Sequence, residues 1–514
     1  MQLWNAIEHW SSVSPDRESI LPFTYRALKE SILRVVKHLP HVLEKRVGLF
    51  MTNSPLWGIY DIALMLKGAV VVPLPVFFSQ EQIRHIISDA NLDILIIEPC
   101  LINRLEGSFP LKINPTIISS QSLEVLLKDG SDVQVSELKV SGDRLVKIIY
   151  TSGTTGSPKG VMIRLKAIES VTNSLILRTK ADSNDRHLSL LPLSTLLEAI
   201  GGLYLPLTVG ASIVYPLGYN PNNLVHLPEN IIRLISDFNP TSLIVVPFIL
   251  DAVIKGLERF KYFTRKFHNL RFVACGGAPL SNVLIEKSKE IGIPLYQGYG
   301  LSECTSVVSL NGEGINRAGS VGMPLEHARV EIAKDGEILV SGDGLMAGYT
   351  NEPVNAILLS WATGDMGYMD NEGYLYITGR KDNIFVLSNG RNISPEWIEA
   401  ELAASKAITQ VMVYGDGKPY PSALIVPNPL WLKYALVRLD INTRGNKMLN
   451  HPLILEEMLK EIHAVSSNLP EYAHVKSIAV INEPWTAEKG TATQDGRLKR
   501  KEIMETYKGK EVLQ

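Results

Sequence analysis

The sequence lacks the cysteine pattern of disulfide-bonded or zinc-binding proteins and the excess positive charge of polyanion-binding proteins. Its 514 residues include only three cysteines, Cys100, Cys275 and Cys304, and their spacing fits neither a disulfide framework nor a zinc site. The net charge is -2, from 51 basic and 53 acidic residues, which argues against a nucleic-acid partner. The first residues lack a basic segment followed by an apolar one. We therefore expect reduced thiols and a cytoplasmic location.

Long apolar runs are also missing. The most apolar stretch, residues 60–78, contains Asp61, Lys67 and two prolines, so it predicts a buried helix followed by a strand and no integral membrane segment. A chain of 514 residues is longer than one hydrophobic core usually supports, which predicts two or three domains.

Short β-branched runs alternate with helical patterns over the first two thirds of the chain. The runs that we predict as buried strands are residues 47–50, 69–73, 94–97, 145–150, 213–215, 243–246 and 272–274. This alternation is typical of α/β proteins with stacked, mostly parallel sheets covered by helices. From about Gly314, strands separated by turn residues predict an antiparallel, barrel-like subdomain. The last segment predicts a small α+β domain, with a helix that begins at Ser394 and Pro395.

Glycine and hydroxyl side chains are concentrated at residues 150–160, Tyr-Thr-Ser-Gly-Thr-Thr-Gly-Ser-Pro-Lys-Gly. Glycines let a backbone turn tightly, and consecutive N–H groups with hydroxyls form a concavity that binds anions. Lys159 adds a positive charge, so a phosphate chain fits this loop better than the alternative of a flexible surface turn. It is not the P-loop of nucleotidases, because Pro158 precedes the lysine and Gly160 follows it.

This loop resembles the signature of the adenylate-forming superfamily, which includes acyl-CoA synthetases, adenylation domains of peptide synthetases and firefly-type luciferases. Further motifs that resemble those of the superfamily follow in order: Cys-Gly-Gly-Ala-Pro at 275–279, Tyr-Gln-Gly-Tyr-Gly-Leu-Ser-Glu at 296–303, Gly-Ser-Val-Gly-Met-Pro at 319–324, Thr-Gly-Asp at 363–365 and Gly-Arg at 379–380. The segment Leu-Ser-Asn-Gly-Arg-Asn-Ile-Ser-Pro at 387–395 resembles the version found in long-chain acyl-CoA synthetases. The resemblance covers nearly the whole chain.

The resemblance implies an AMP-forming acid–thiol ligase that uses ATP and Mg²⁺. A carboxylate attacks the α-phosphorus of ATP, pyrophosphate leaves, and a thiol then attacks the acyl-adenylate. The residues that it implies for ATP binding are Thr151, Ser152, Gly153, Thr154, Gly156, Gly276, Gly277, Ala278, Gly298, Tyr299, Gly300, Asp365 and Arg380. Their chemistry fits these roles: Tyr299 can stack on the base, Asp365 can accept from both ribose hydroxyls, and Arg380 supplies a fixed donor fork.

The catalytic residues that the resemblance implies are Lys159, Thr155, Glu303, Thr195 and Arg497. Glu303 and Thr155 are the expected magnesium ligands, since magnesium takes hard oxygen donors. Two of the five depart from the pattern of the superfamily. Thr195 stands where relatives often have a histidine, and the alternative for it is a helix-capping threonine.

The other departure is Arg497, which stands where the superfamily has a lysine that bridges the carboxylate and the α-phosphate. The planar guanidinium of arginine binds anions with a different geometry from the compact ammonium of lysine. Lys499 is a second candidate for the role. The remaining alternative is a solvated basic cluster of Arg497 with Lys499, Arg500 and Lys501.

The resemblance also implies two domains, an adenylating domain at 1–381 and a mobile C-terminal domain at 382–514, with the hinge at Asp382. Candidate walls of an apolar tunnel, with plain core as the alternative for each, are Leu196, Leu197, Ala199, Gly201, Gly202, Val246, Pro247, Phe248 and Leu250. They favour a fatty or other apolar carboxylic acid as substrate. As the thiol we expect CoA. Two alternatives stay open: a ligase that loads the phosphopantetheine of an acyl carrier protein, and a non-catalytic nucleotide or acyl-AMP sensor.

Overall fold

A computed structural model describes residues 1–105, 115–120, 141–151, 158–216, 219, 227–259, 269–350, 352, 358–441, 449, 451–486, 489–492 and 498–507. The strands are β1 Arg46–Phe50, β2 Val70–Pro73, β3 Ile94–Ile97, β4 Thr116–Ser119, β5 Leu145–Thr151, β6 Lys159–Arg164, β7 Arg186–Leu188, β8 Ser212–Val214, β9 Ser242–Val245, β10 Phe272–Cys275, β11 Leu295–Tyr299, β12 Ser309–Leu310, β13 Met323–Pro324, β14 Ala328–Ile332, β15 Glu337–Gly342, β16 Gly348–Tyr349, β17 Trp361–Met369, β18 Leu375–Arg380, β19 Phe385–Val386, β20 Asn392–Ile393, β21 Ile408–Tyr414, β22 Ser422–Pro427 and β23 Ser477–Val480.

Helices connect most of these strands. They are α1 Gln2–Val13, α2 Tyr25–His38, α3 Pro55–Leu66, α4 Gln80–Asp89, α5 Leu165–Thr179, α6 Leu196–Glu198, α7 Leu205–Val209, α8 Leu227–Phe238, α9 Pro247–Arg259, α10 Asn282–Ile291, α11 Pro395–Leu402, α12 Pro429–Arg438, α13 Pro452–Val465 and α14 Arg500–Tyr507. A π-helical turn, Ala199–Tyr204, joins α6 to α7.

The first large sheet has the strand order β16-β6-β5-β2-β1-β3-β4. Its strands from β5 to β4 run parallel, and β6 is antiparallel to both of its neighbours. Side chains alternate between its faces: Ile94 and Ile96 join one core cluster, and Leu95 and Ile97 join another. Both faces are therefore covered, which explains why its strands are continuous apolar runs in the sequence.

The second large sheet has the order β13-β12-β11-β10-β9-β7-β8. A core cluster containing Val71 from the first sheet and Ile213 and Phe272 from the second fills the space between them, together with residues of α3 and α5. Helices α8 and α9 cover the other face. The two sheets thus stack, and the loops at their strand ends come together at one edge.

Beyond these sheets lie a smaller sheet and a C-terminal unit. Strands β14, β15, β17 and β18 form an antiparallel sheet with its own core cluster. After Arg380, a β19–β20 hairpin and the sheet β21-β22-β23 pack with α11, α12 and α13 around a further cluster. The predicted fold class, with stacked sheets, an antiparallel subdomain and a small α+β unit, is confirmed.

Local predictions from the sequence also agree with the structure. Each run predicted as a buried strand is a strand, and residues 60–78 belong to α3 and β2 with their connections. The three cysteines are free thiols. In the described part of the chain, no helix is long and apolar enough to cross a membrane.

Candidate active site

The glycine-rich loop connects β5 to β6, and one helix contacts the residues on either side of it. Thr151 at the end of β5 pairs with Lys159 at the start of β6. Asp89, the last residue of α4, accepts a hydrogen bond from the Tyr150 hydroxyl at 2.6 Å. The side chain of His85 in the same helix lies 2.8 Å from the carbonyl oxygen of Pro158. Helix α4 therefore fixes both ends of the loop, whose residues Ser152, Gly153, Thr154, Thr155 and Gly156 lie outside the described residues.

Lys159 and Glu303 contact opposite parts of one tyrosine. The ammonium of Lys159 lies 5.4 Å from the ring centroid of Tyr349. The hydroxyl of Tyr349 donates to Oε1 of Glu303 at 2.8 Å. Tyr349 is part of β16, which is antiparallel to β6. The structure thus places the predicted phosphate cation and the predicted magnesium ligand on one side of the site.

The predicted adenine turn follows β10 and lies beside the end of β11. Gly276 approaches the neighbouring strand so closely that a Cβ there would be 3.1 Å from the carbonyl oxygen of Gly298. Gly277 has φ +82°, a left-handed conformation that glycine adopts without strain. Gly277 and Ala278 are exposed. The exposed backbone of this turn therefore leaves space for a flat aromatic ring.

Asp365 is held by two of the residues predicted to bind the nucleotide. Tyr299 at the end of β11 donates its hydroxyl to Oδ2 of Asp365 at 2.7 Å. Nη1 of Arg380 donates to Oδ1 at 2.9 Å, because Asp365 in β17 and Arg380 in β18 are direct partners in the sheet register. Asp365 is 8% exposed. Both carboxylate oxygens are oriented before any ribose is bound.

The carboxylates of Glu303 and Asp365 both act on the thiol of Cys304. Burial raises the pKa of Cys304 far above its usual range, and the charges of Glu303 and Asp365 raise it further. Gly300, which follows Tyr299, permits a tight chain reversal, since a Cβ there would be 1.5 Å from the carbonyl oxygen of Ser306. This turn carries the chain from Tyr299 to Glu303.

Thr195 precedes α6 and occupies its N-cap position without a capping hydrogen bond from its side chain. Its hydroxyl donates instead to the carbonyl oxygen of Pro192 at 2.8 Å. Several candidate tunnel residues belong to core clusters: Ala199 to the cluster between the sheets and Leu250 to the one outside, with Leu197 packed on both. Phe248, in contrast, is 47% exposed.

The C-terminal candidates are only partly described. Arg497 lies outside the described residues. Lys499 donates its backbone N–H to the carbonyl oxygen of Thr491 at 3.0 Å. The idea of a solvated basic cluster is wrong for Arg500, whose Nη1 donates to Oε1 of Glu399 at 2.8 Å in a largely buried ion pair.

Sequence reasoning did not find Tyr349, Asp89 or His85. A lone tyrosine in a two-residue strand has no charge or spacing pattern to reveal it, and an aspartate at a helix end is usually a surface residue. These residues act through partners that are far away in the sequence, such as the Tyr349–Glu303 pair, 46 residues apart.

The profile of the AMP-binding enzyme family matches residues 7–350. The chain belongs to the AMP-binding enzymes. The profile of the C-terminal domain of these enzymes matches residues 382–511. The sequence resemblance to the adenylate-forming superfamily is therefore confirmed.

Individual AMP-binding enzymes are similar over most of their length. A 2-succinylbenzoate–CoA ligase of Bacillus mycoides is 31% identical over 78% of this chain and 83% of its own. A long-chain-fatty-acid–CoA ligase of Mycobacterium tuberculosis is 26% identical over 90% of this chain and 86% of its own. These relatives are acid–CoA ligases, and the prediction that this chain is an AMP-forming acid–thiol ligase is confirmed.

Solved structures of AMP-binding enzymes have the same fold. The anthranilate–CoA ligase in complex with anthranoyl-AMP superposes with a TM-score of 0.79 at 20% identity, over 98% of this chain and 96% of the other. The o-succinylbenzoate–CoA synthetase of Bacillus subtilis with ATP and magnesium gives a TM-score of 0.74 at 21% identity, over 97% and 98%.

Proposed function

We propose that this enzyme joins an apolar carboxylic acid, in the first place a fatty acid, to AMP and transfers the acyl group to the thiol of coenzyme A. One observation carries the proposal: Tyr349 and Tyr299 hold Glu303 and Asp365, with Lys159 beside Tyr349. ATP binding requires a cation for the phosphates, a carboxylate for the metal ion and a carboxylate for the ribose. Lys159, Glu303 and Asp365 can supply these groups.

In the first step, the substrate carboxylate forms a bond to the α-phosphorus of ATP while the bond to pyrophosphate breaks. Two anions must meet, so positive charge and oriented dipoles account for most of the catalysis. Lys159 supplies positive charge in this region, beside Tyr349. Asp365 accepts hydrogen bonds from the ribose and fixes the nucleotide.

Glu303 fits a magnesium ion, and Thr155, the other expected ligand, lies outside the described residues. Its carboxylate is a hard oxygen donor, it is only partly buried, and Tyr349 orients one of its oxygens. Bound magnesium neutralises charge on the phosphates of ATP.

In the second step, the thiol sulfur bonds to the acyl carbon and AMP leaves with the electrons of the mixed anhydride. We place the boundary between an adenylating domain, residues 1–381, and a mobile C-terminal domain, residues 382–514, at Asp382. The neighbouring Lys381 is paired with Asp335 at 2.7 Å and with Glu337 at 2.8 Å. These exposed ion pairs are weak enough to exchange when a domain moves.

Two observations favour a fatty acid as the substrate. Residues 196–202 are apolar or small apart from Glu198, and a long-chain-fatty-acid–CoA ligase is among the relatives. Aromatic acids are the competing class, since the relatives include 2-succinylbenzoate–CoA ligases.

The deciding experiment is acid-dependent ATP–pyrophosphate exchange with a panel of fatty and aromatic acids. We expect exchange with medium- or long-chain acids and a large loss of it in Lys159→Ala, with Lys166→Ala as a control for a lysine in the following helix. Product analysis with CoA and with a phosphopantetheine-loaded carrier protein then identifies the thiol. A panel that gives no exchange, in a protein that still binds ATP, would favour the sensor alternative.

A further inference from the structure

Tyr349 belongs to a segment that is tied to both sides of the phosphate region. The backbone N–H of Met346 donates to the carbonyl oxygen of Glu303 at 2.8 Å, and that of Ala347 donates to the carbonyl oxygen of Met162 in β6 at 2.7 Å. Tyr349 itself is paired with Val161 in the register of β16 and β6. The backbone therefore fixes Tyr349 relative to both Glu303 and the start of β6.

The hydroxyl of Tyr349 donates its hydrogen bond to a carboxylate. Its acceptor is Oε1 of Glu303, at 2.8 Å. One carboxylate oxygen of Glu303 is thus held in a fixed direction.

The ring of Tyr349 is fixed as well. The ring of Trp361 meets it edge-on, with 6.1 Å between centroids and 71° between planes. On such a fixed ring the ammonium of Lys159, 5.4 Å from the centroid, is attracted to the negative face. Lys159 thus contacts the ring of Tyr349, whereas Glu303 contacts its hydroxyl.

Lys159 and Glu303 carry opposite charges in one small region, and side chains of that kind tend to pair directly. In the part of the chain that the structure describes, both side chains contact Tyr349: the ammonium of Lys159 lies at its ring, and the carboxylate of Glu303 accepts from its hydroxyl. A direct pair would occupy the carboxylate needed for the metal and the ammonium needed for the phosphates.

We propose that Tyr349 is a positioning residue of the adenylation step, which keeps Glu303 and Lys159 apart and oriented for magnesium and for phosphate. This rests on the proposed roles of Glu303 and Lys159. Tyr349 acts through these two side chains and is not assigned a contact with the substrate.

Two substitutions separate the two contacts. Tyr349→Phe keeps the ring and removes the hydroxyl, so the magnesium concentration for half-maximal pyrophosphate exchange should rise roughly tenfold while the rate at saturating magnesium recovers. Tyr349→Leu removes both contacts, so its rate should stay low at any magnesium concentration. Tyr368→Phe is the matched control, because Tyr368 is an exposed tyrosine stacked on Tyr376.

A double-mutant cycle distinguishes positioning from a merely structural role. If Tyr349 acts through Glu303, Tyr349→Phe should change the magnesium dependence less than twofold once Glu303→Gln is present. Equal effects in both backgrounds, or an unchanged magnesium dependence in Tyr349→Phe alone, would overturn the proposal. Calorimetric titration of ATP at several magnesium concentrations gives a second readout. A shift in binding without exchange in the parent protein would retain the role of Tyr349 and reject the proposed catalytic function.

Discussion

The side-chain amide of Asn282 donates to the carboxylate of Glu401, with 2.7 Å between Nδ2 and Oε1. Asn282 begins α10, directly after the adenine turn, and Glu401 lies in α11. The hydrogen bond therefore joins a helix before Asp382, where we propose the domain boundary, to a helix after it. Glu401 is 4% exposed, and burial raises its pKa more than the hydrogen bonds from Asn282 lower it.

This raised pKa predicts a pH-dependent cost at the contact. The folded protein binds a proton at Glu401 more tightly than the unfolded chain does, so stability falls as pH rises from the unfolded value, about 4.3, through the raised folded value. Glu401→Gln removes the charge and keeps an oxygen acceptor. We expect a melting temperature about 1–2 °C higher at neutral pH, with no gain below about pH 4.

Thermal unfolding from pH 4 to pH 8 measures this effect. Glu401→Ala is the control, because it leaves the amide of Asn282 without its acceptor and should destabilise the protein throughout that range. Parallel pH profiles for Glu401→Gln and the parent would show that the carboxylate of Glu401 has no part in the pH dependence.

A second test concerns the fully buried ion pair of Lys147 and Asp61, which lies between the sheets. Both side chains have 0% exposure, and the ammonium of Lys147 lies 5.5 Å from the ring centroid of Trp57. Burial lowers the pKa of Lys147, although the charge of Asp61 opposes this. The hydroxyl of Tyr204 donates to the other oxygen of Asp61, so the buried charges have partners and the pair is costly to break.

Lys147→Met should destabilise the protein by about 3–5 kcal/mol, because it leaves the charge of Asp61 buried and uncompensated. The double substitution Asp61→Leu with Lys147→Met should recover much of that loss, since paired buried charges are often replaceable by apolar side chains. Urea unfolding of the three proteins measures both differences. Equal losses in the single and the double variant would contradict this account.

Helix α4 provides a third test, because it fixes the ends of the phosphate loop. Asp89 accepts hydrogen bonds from Tyr150 at 2.6 Å and from Thr350 at 2.7 Å. Asp89→Ala removes the acceptor of Tyr150, which precedes the loop, and of Thr350. It should raise the KM for ATP roughly tenfold, since hydrogen bonds to charged groups contribute about 1.5–3 kcal/mol. Glu81→Ala, an exposed change in the first turn of the same helix, should leave the KM as it is. An unaltered KM in Asp89→Ala would show that the loop needs no anchor in α4.

The sequence predicts the two large sheets well because their strands are buried on both faces. Each strand is therefore a short apolar run, which can be recognised without knowing the strands beside it. It predicts the order of the nucleotide motifs for a similar reason: glycine and charge in the turns after β5, β10 and β11 are local signals. It does not predict which side chains hold the functional ones. Tyr349 reaches Glu303 and Asp89 reaches Thr350 only because distant strands become neighbours, and single residues of ordinary type give no local sign of that.

The predicted role of Asp365 as a ribose ligand can be tested together with its hydrogen bond from Tyr299. Asp365→Ala removes an acceptor for two hydroxyls and should raise the KM for ATP at least tenfold, since each hydrogen bond to a charged group contributes about 1.5–3 kcal/mol. Tyr299→Phe removes the donor that holds Oδ2 and keeps the aromatic face, so its effect should be smaller. If both variants bind ATP as the parent does, Asp365 serves only the sheet turn and its pair with Arg380.

The last prediction separates Arg497 from Lys499 as the C-terminal cation of adenylation. The first step gathers negative charge around the α-phosphate, whereas attack by a thiol on the acyl-adenylate does not need that cation. Arg497→Ala should therefore lower pyrophosphate exchange on the order of 100-fold and spare thioester formation from pre-formed acyl-adenylate. Arg497→Lys should retain or improve exchange, because it supplies the point charge of the superfamily.

Lys499→Ala is the matched variant, two residues away in a segment anchored by the bridge between Ala492 and Leu498. If Lys499 is the real agent, this variant has the selective defect and Arg497→Ala has none. Arg500→Ala is no substitute for either, because Arg500 is tied to Glu399 and its loss would destabilise the C-terminal unit. If neither Arg497→Ala nor Lys499→Ala changes exchange, the α-phosphate is served by another cation, and Lys381, which would have to leave Asp335 and Glu337, is the next residue to substitute.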